Sequence, residues 1–269
     1  MTVGAIHPAP IRTGIGGWTF EPWRGTFFPD GLPHARELEH AASKLGTIEI
    51  NSTYYRSQTP ATFAKWRKAV PDGFLFSVKA IRYATMKKKL AEAGESVEKF
   101  IVSGIAVLGD ALGPIVWQML PTRKYDAEDI GAFLALLPSQ VDGLPLRHVL
   151  EVRHESFACP EFITLARKHN VAITVADHAE HPLIADVTAD FIYARLMRGE
   201  DAIPTAYDEV GLDRWAGIMR NWAAGCDPGL PLLTQAPAAK PREVFAYIIH
   251  EGKIRAPQGA MALAERIAA

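Results

Sequence analysis

At 269 residues, 48% hydrophobic and 22% charged, the chain can bury a large core, and α/β barrels often reach this length undivided. A formal net charge of −1 gives no electrostatic footprint for nucleic acid or an anionic membrane, and Cys159 and Cys226 are too few for a disulfide scaffold or a cysteine-ligated metal. The opening MTVGAIHPAP lacks the basic start and apolar core of a signal peptide, and no run reaches the roughly 18 apolar residues of a membrane span, so a cytoplasmic protein is expected.

Strand and helix patterns then alternate along the chain. Residues 12–18 read as a glycine-rich first strand and turn, and 32–45 as a helix. TIEIN (47–51) is a second strand and 60–69 a second helix, ended by the turn Pro71-Asp72-Gly73. A third strand covers 74–80, and 86–108 is mostly helical, weakened at Gly94 and Gly104. Strand 114–120, stopped by Pro121, precedes helix 127–137; strand 147–153 precedes helix 160–169. Strand 171–177 has only a short connector after it, and strand 190–196 precedes helix 208–224. For an eighth strand, 230–235 and 243–249 compete. The second is preferred because it is β-rich and leads into a closing helix at 257–267. The alternation predicts one domain over 1–269 with a parallel sheet, a (β/α)8 TIM barrel of the α/β class.

Polar residues punctuate the downstream ends of these strands: Glu49, Asn51, Lys79, Gln118, Glu151, Arg153, Asp177, Tyr193 and Arg195. The two-residue strand period puts Ile48 and Ile50 on one face and Glu49 and Asn51 on the other. The same parity groups Ser77 with Lys79, Glu151 with Arg153, Val175 with Asp177 and Tyr193 with Arg195. Ionisable residues inside a barrel are rarely buried unpaired, and the downstream ends of barrel strands are where active sites are built. The competing reading is a self-neutralising ion network: Glu49, Glu151 and Asp177 balance Lys79, Arg153 and Arg195.

The runs GIGGWTFEPWRGTFFPDGLP (14–33), IEINSTYYRSQTPATFAKWRKAVPDGFLFSVKAIRY (48–83), LGPIVWQMLPT (112–122), LEVRHESF (150–157) and TADFIYARL (188–196) resemble domain-of-unknown-function family 72, also called YecE-like. The resemblance spans most of the chain and implies a TIM barrel; it implies no reaction. Three positions depart from the family pattern. Thr85-Met86 stands where many members carry Thr-His, and Leu196-Met197-Arg198-Gly199 where they carry Leu-His-Gly. Ile249-His250-Glu251-Gly252 replaces an aromatic-Asn-Asp ending.

Local groups add candidates. His154 can transfer a proton near neutral pH or cap its loop. Asp177, His178, Glu180 and His181 are metal-ligand types, but sit in a loop without fixed spacing and are closed by Pro182; no metal and no cofactor is predicted. The GIGG run lacks phosphate-loop spacing, so tight barrel packing or close ligand approach is the better reading of Gly14, Gly16 and Gly17. Trp18, Trp23, Tyr54 and Tyr55 can wall a pocket or pack a loop.

Three functional readings follow. In the first, Glu49 and Glu151 act as an acid–base pair on a small polar substrate such as a carbohydrate, with Lys79 and Arg153 stabilising charge and His154 a further proton carrier. In the second, Lys79 is an amine nucleophile with a pKa lowered by burial and neighbouring Arg; the first is preferred, because flanking carboxylates would keep the lysine protonated. In both, Trp18, Asn51, Tyr54, Gln118, Arg153, Asp177, Tyr193 and Arg195 bind substrate, and the reaction class stays open among hydrolase, lyase and isomerase. In the third, the same pocket serves a non-catalytic sensor of a small ligand or nucleic acid. A small-molecule ligand is the expected partner; no membrane is implied, nucleic acid has only scattered basic residues to support it, and the sequence does not set an oligomeric state.

Overall fold

The computed structural model describes residues 8–269; residues 1–7, which hold most of the stretch read for a signal sequence, lie outside the described residues. Eight strands close into a barrel: β1 (Ile11–Gly16), β2 (Thr47–Ile50), β3 (Leu75–Lys79), β4 (Leu112–Gln118), β5 (His148–Glu151), β6 (Ala172–Asp177), β7 (Phe191–Arg198) and β8 (Glu243–Glu251). All neighbours run parallel, in the cyclic order β1-β8-β7-β6-β5-β4-β3-β2. The preferred eighth strand is the real one: β8 pairs with both β7 and β1 and so closes the ring, whereas residues 230–235 form no strand.

Helices α1 (Glu37–Lys44), α2 (Pro60–Lys68), α3 (Gly94–Ile101), α4 (Ala127–Ala135), α5 (Pro160–Lys168), α6 (Glu209–Ala224) and α7 (Ala256–Ala268) connect the strands or follow the last one. Side-chain caps fix several starts. Thr59 accepts the Thr62 amide, Asp126 those of Glu128 and Asp129, and Asp208 that of Gly211. Residues 178–190, after β6, carry no helix, in line with the weak signal there.

Two stretches differ from expectation. The long helical segment breaks into a 3-10 turn (Leu90–Ala93), α3 and a second 3-10 stretch (Ile105–Ala111). Gly104 ends the run with φ +114, where a Cβ would sit 2.9 Å from the Pro60 backbone. A small antiparallel hairpin, Gln140–Val141 with Leu144–Pro145, turns on Asp142 and Gly143, both at positive φ. An Asp-Gly pair is a hairpin signal, but the two-residue arms are too short to register as strands.

The barrel has two apolar layers. Ile48, Ile50, Phe76, Val78, Ile115, Trp117 and Leu150 belong to the large cluster shared with the helices, while Val116, Val149, Ala172, Phe191, Tyr193, Phe245 and Tyr247 form a separate interior cluster. The strands approach closely at β1, where a Cβ on Gly14 would lie 1.9 Å from the Thr47 carbonyl oxygen. Gly14→Ala is therefore expected to cost about 3 kcal/mol, the upper end of overpacking penalties, read as a lower urea midpoint with an unchanged slope.

Candidate functional site at the downstream mouth of the barrel

Three strands from different sides of the barrel supply a buried ion cluster. Glu49 on β2 and Glu151 on β5 are fully buried, and Arg195 on β7 is 4% exposed. Arg195 bridges them: Nη2 donates to Glu49 Oε1 at 3.1 Å and Nη1 to Glu151 Oε2 at 2.5 Å. Tyr193 donates its hydroxyl to Glu49 Oε2 at 2.6 Å, and Arg153 donates Nε and Nη2 to Glu151 Oε1 at 2.9 and 2.7 Å. Each of the four carboxylate oxygens thus accepts a hydrogen bond. Ala176 pairs in register with Arg195, and this small neighbour leaves space for the long guanidinium. A hydroxyl layer lies beneath. Ser77 Oγ is 2.8 Å from Tyr193 Oη, and Thr47 Oγ1 is 2.8 Å from Tyr247 Oη.

The electrostatics follow from this geometry. Burial pushes the Glu151 carboxyl up, but Arg195, Arg153 and Lys79 outweigh it and hold the group at about 2. For Arg195, burial pulls the pKa down, but Glu151 and Glu49 raise it above the ordinary arginine value. Burial drives the Tyr193 hydroxyl well up, with Glu49 adding to the effect, so it stays a donor.

Lys79, at the end of β3, is different. Its Nζ lies 4.5 Å from the centroid of the Tyr54 ring, whereas the ion pairs of the cluster all join Arg153 or Arg195 to a carboxylate. Burial, reinforced by the Arg195 charge, lowers its pKa to about 8 against the opposing pull of Glu49 and Glu151. The Tyr54 ring is held there by its neighbour: in the helical turn Ser52–Tyr55, Thr53 donates its hydroxyl to the Lys79 carbonyl at 2.7 Å. Burial also raises the Tyr54 pKa.

Other sequence-chosen residues fall around or away from this core. Gln118 pairs in register with Glu151 at the end of β4, and Asn51 precedes the turn carrying Tyr54, its carbonyl accepting the Tyr54 amide at 3.2 Å and its side chain making no capping bond. A Cβ on Gly16 would lie 2.3 Å from Ile249 Cδ1 and 2.9 Å from Asn51 Nδ2, so β1 is glycine where these two side chains meet it. His154 is a loop cap. Its Nδ1 accepts the Ser156 amide at 3.1 Å and lies 2.9 Å from the Ser156 hydroxyl, leaving Nε2 as its ring nitrogen for proton transfer. Trp18 is not brought to the ion cluster; it packs against Trp66 at 5.3 Å and Phe76 at 6.3 Å between ring centroids, in the helix-side layer.

Asp177 corrects the parity reading. Ala176 is level with Arg195, whereas Asp177 is level with Leu196 and shares its strand face with Ile173 and Val175 of the helix-side cluster. Its carboxylate instead accepts the Tyr207 hydroxyl at 2.9 Å, and Tyr207 in turn accepts the Arg198 amide. In a strand buried on both faces, alternation alone does not say which face is interior. Tyr207 had no sequence signal, since its loop position bears no period.

The loop after β6 approaches the end of β8. His178 and His181 stack with ring centroids 3.7 Å apart, and His178 lies 5.5 Å from His250. His250 has φ +83 and sits where β8 carries one residue more than β7 between their paired positions, a bulge. Burial, then the neighbouring His178, lowers His181 to about 4. Among the described residues, no group of three or more His, Cys, Asp or Glu side chains is arranged to hold a metal ion.

The model of the family described as protein of unknown function DUF72 matches residues 12–269. The chain belongs to the DUF72 family. Its fold is similar to a DUF72 protein, TM1631 of Thermotoga maritima, with a TM-score of 0.74 at 18% identity, covering 97% of this chain and 100% of that one. It is also similar to the DUF72 protein EF0366 of Enterococcus faecalis, with a TM-score of 0.71 at 15% identity over 96% of each chain. No curated protein matches. At these identities the likeness carries the DUF72 barrel and leaves the chemistry to the side chains. Among the described residues of this DUF72 chain, no helix is long and apolar enough to cross a membrane.

Proposed function

We propose that the chain is an enzyme acting on a small polar carbonyl compound, such as an open-chain carbohydrate, at the downstream mouth of the barrel, with Lys79 as the reacting amine. One observation carries this reading: among the five clustered ionic side chains, Lys79 alone has no ion-pair partner among the described residues. A pKa of about 8 leaves roughly one molecule in ten with a neutral amine at pH 7, against about one in several thousand for an ordinary lysine. The neutral amine adds to the carbonyl carbon and gives up one proton to the oxygen; a second proton from solvent lets that oxygen leave as water, and an iminium joins the substrate to Nζ. That cation draws electrons from the adjacent carbon, as lyase and isomerase steps require.

Glu49 and Glu151 support this chemistry rather than transfer protons. Their oxygens are already hydrogen-bonded, and a carboxyl held at about 2 is a weak base at neutral pH. Arg153, with its side chain 20% exposed, and Gln118 and Asn51 at the strand ends are suited to orient substrate oxygens.

Borohydride reduction in the presence of glyceraldehyde, dihydroxyacetone or pyruvate, followed by peptide mass spectrometry, tests the assignment. The expected result is an adduct concentrated on Lys79 and absent from Lys79→Met. Labelling spread over surface lysines without enrichment at Lys79 would overturn it. A ligand that binds at the mouth and is recovered unchanged, with no Lys79 adduct, would point to the sensor reading.

A further inference from the structure

A cavity lies away from the mouth, where the connector 225–242 leads into the start of β8. It encloses about 190 Å³ and is lined by Ala185, Val187, Trp222, Cys226, Leu232 and Arg242 among others. Most of this wall is apolar, but two donors in it lack acceptors. Trp222 is 2% exposed, and its indole Nε1 is buried with no hydrogen-bond partner among the described residues. Arg242 Nε is likewise buried without a partner; among the described residues the rest of its guanidinium donates to backbone, Nη1 to Lys240 O at 2.8 Å and Nη2 to Ala238 O at 3.5 Å, and the Asp190 charge acts on it without a hydrogen bond. Indole and guanidinium N–H groups can only donate, so the missing partner must be an acceptor, and beside a cation an anionic one is favoured.

We propose that this cavity is a binding site, separate from the mouth, for a small amphiphilic monocarboxylate. The carboxylate accepts from Trp222 and Arg242, and the hydrocarbon body lies against Val187 and Leu232. Asp227 also lines the cavity, with Oδ1 accepting the Gly229 amide at 2.8 Å. Its negative charge weighs more heavily against a dianion such as phosphate than against a single charge. The site is independent of the Lys79 reading.

Cys226 supplies the readout, because it is a free, exposed thiol in the cavity wall. Iodoacetamide alkylation of Cys226, followed by peptide mass spectrometry on the full chain, is compared with octanoate, octanol or acetate present. Octanoate is expected to slow alkylation about tenfold once its concentration exceeds Kd by about tenfold, as mass action requires. Octanol and acetate, each lacking one half of the recognition, should give no comparable protection. Arg242→Met should alkylate at the wild-type rate without ligand and weaken octanoate roughly tenfold, the loss of a charge-assisted hydrogen bond. Ala239→Trp, which fills the cavity, should protect Cys226 with no ligand and remove the octanoate effect; it keeps the test decisive if Arg242→Met fails to fold. Equal protection by octanol would overturn anion recognition, equal protection by acetate would reduce the site to an adventitious ion only, and no protection by octanoate would overturn the proposal.

Discussion

Replacing Arg195 with methionine is expected to destabilise the fold by about 3–5 kcal/mol, the range found when one member of a buried ion pair is removed. The mechanism is desolvation, not lost attraction alone. Glu49 and Glu151 are both fully buried and both bonded to this one guanidinium. Without it Glu49 keeps Tyr193, and Glu151 keeps Arg153. Two carboxylates would then share one nearby bonded cation in a dry interior, where an unmatched charge is costly. The pH dependence carries a sign. In the wild type, the Glu151 carboxyl at about 2 lies below its ordinary 4.5, so its ionised form stabilises the fold above about pH 4.5 and that contribution is lost as pH falls toward 2. In Arg195→Met the carboxyl loses its strongest cation and protonates at higher pH. The gap between variant and wild type should therefore narrow as pH falls below about 4.5. Urea unfolding followed by circular dichroism at neutral and acidic pH reads both effects. A loss under about 1 kcal/mol at pH 7 would mean that water already reaches the carboxylates and that the cluster is less dry than its burial indicates.

The barrel could be read from the sequence because its signals are local. Alternation in TIEIN, the capping Thr59 and Asp208, and the proline and glycine turns each act over a few residues, and the chain repeats them until eight strands are in place. Glu49, Lys79, Glu151 and Arg195 were legible for the same reason, as polar interruptions in apolar runs. What the chain does not encode locally is which of these ions pair. That Arg195 spans from Glu49 to Glu151, leaving Lys79 without a carboxylate among the described residues, depends on distances across the barrel between residues more than 40 positions apart. Asp177 shows the same limit from another side: β6 is buried on both faces, so its interior face is settled by Tyr193 and Arg195 on the next strand. His250 meets His178 only because a bulge at the end of β8 gives it a positive φ, and such a bulge arises from strand pairing.

The pairing that leaves Lys79 without an ion-pair partner among the described residues leads to the second large effect: Lys79→Met is expected to stabilise the protein while abolishing the proposed carbonyl chemistry. A lysine that titrates at about 8 when folded and 10.5 when unfolded is one whose charged form the fold disfavours. The full shift corresponds to about 3 kcal/mol, and with part of the side chain in contact with solvent the expected gain at pH 7 is about 1–3 kcal/mol. The sign is the reverse of an ion-paired lysine. Below pH 8 both states carry the proton and the cost is fully present; from about 8 to 10.5 the unfolded chain holds more protons than the folded one, so wild-type stability rises with pH. The advantage of Lys79→Met should thus be fully present at pH 7, shrink from about pH 8 and close only above about pH 10.5. Thermal or urea unfolding across that range, set beside borohydride trapping on the same variant, separates the readings of the cluster. If the ions form a structural network to which Lys79 contributes, the variant loses stability at neutral pH. If Lys79 is a strained, unpaired amine kept for reaction, the variant gains stability and loses the adduct, as expected when a reactive group is held at the expense of the fold.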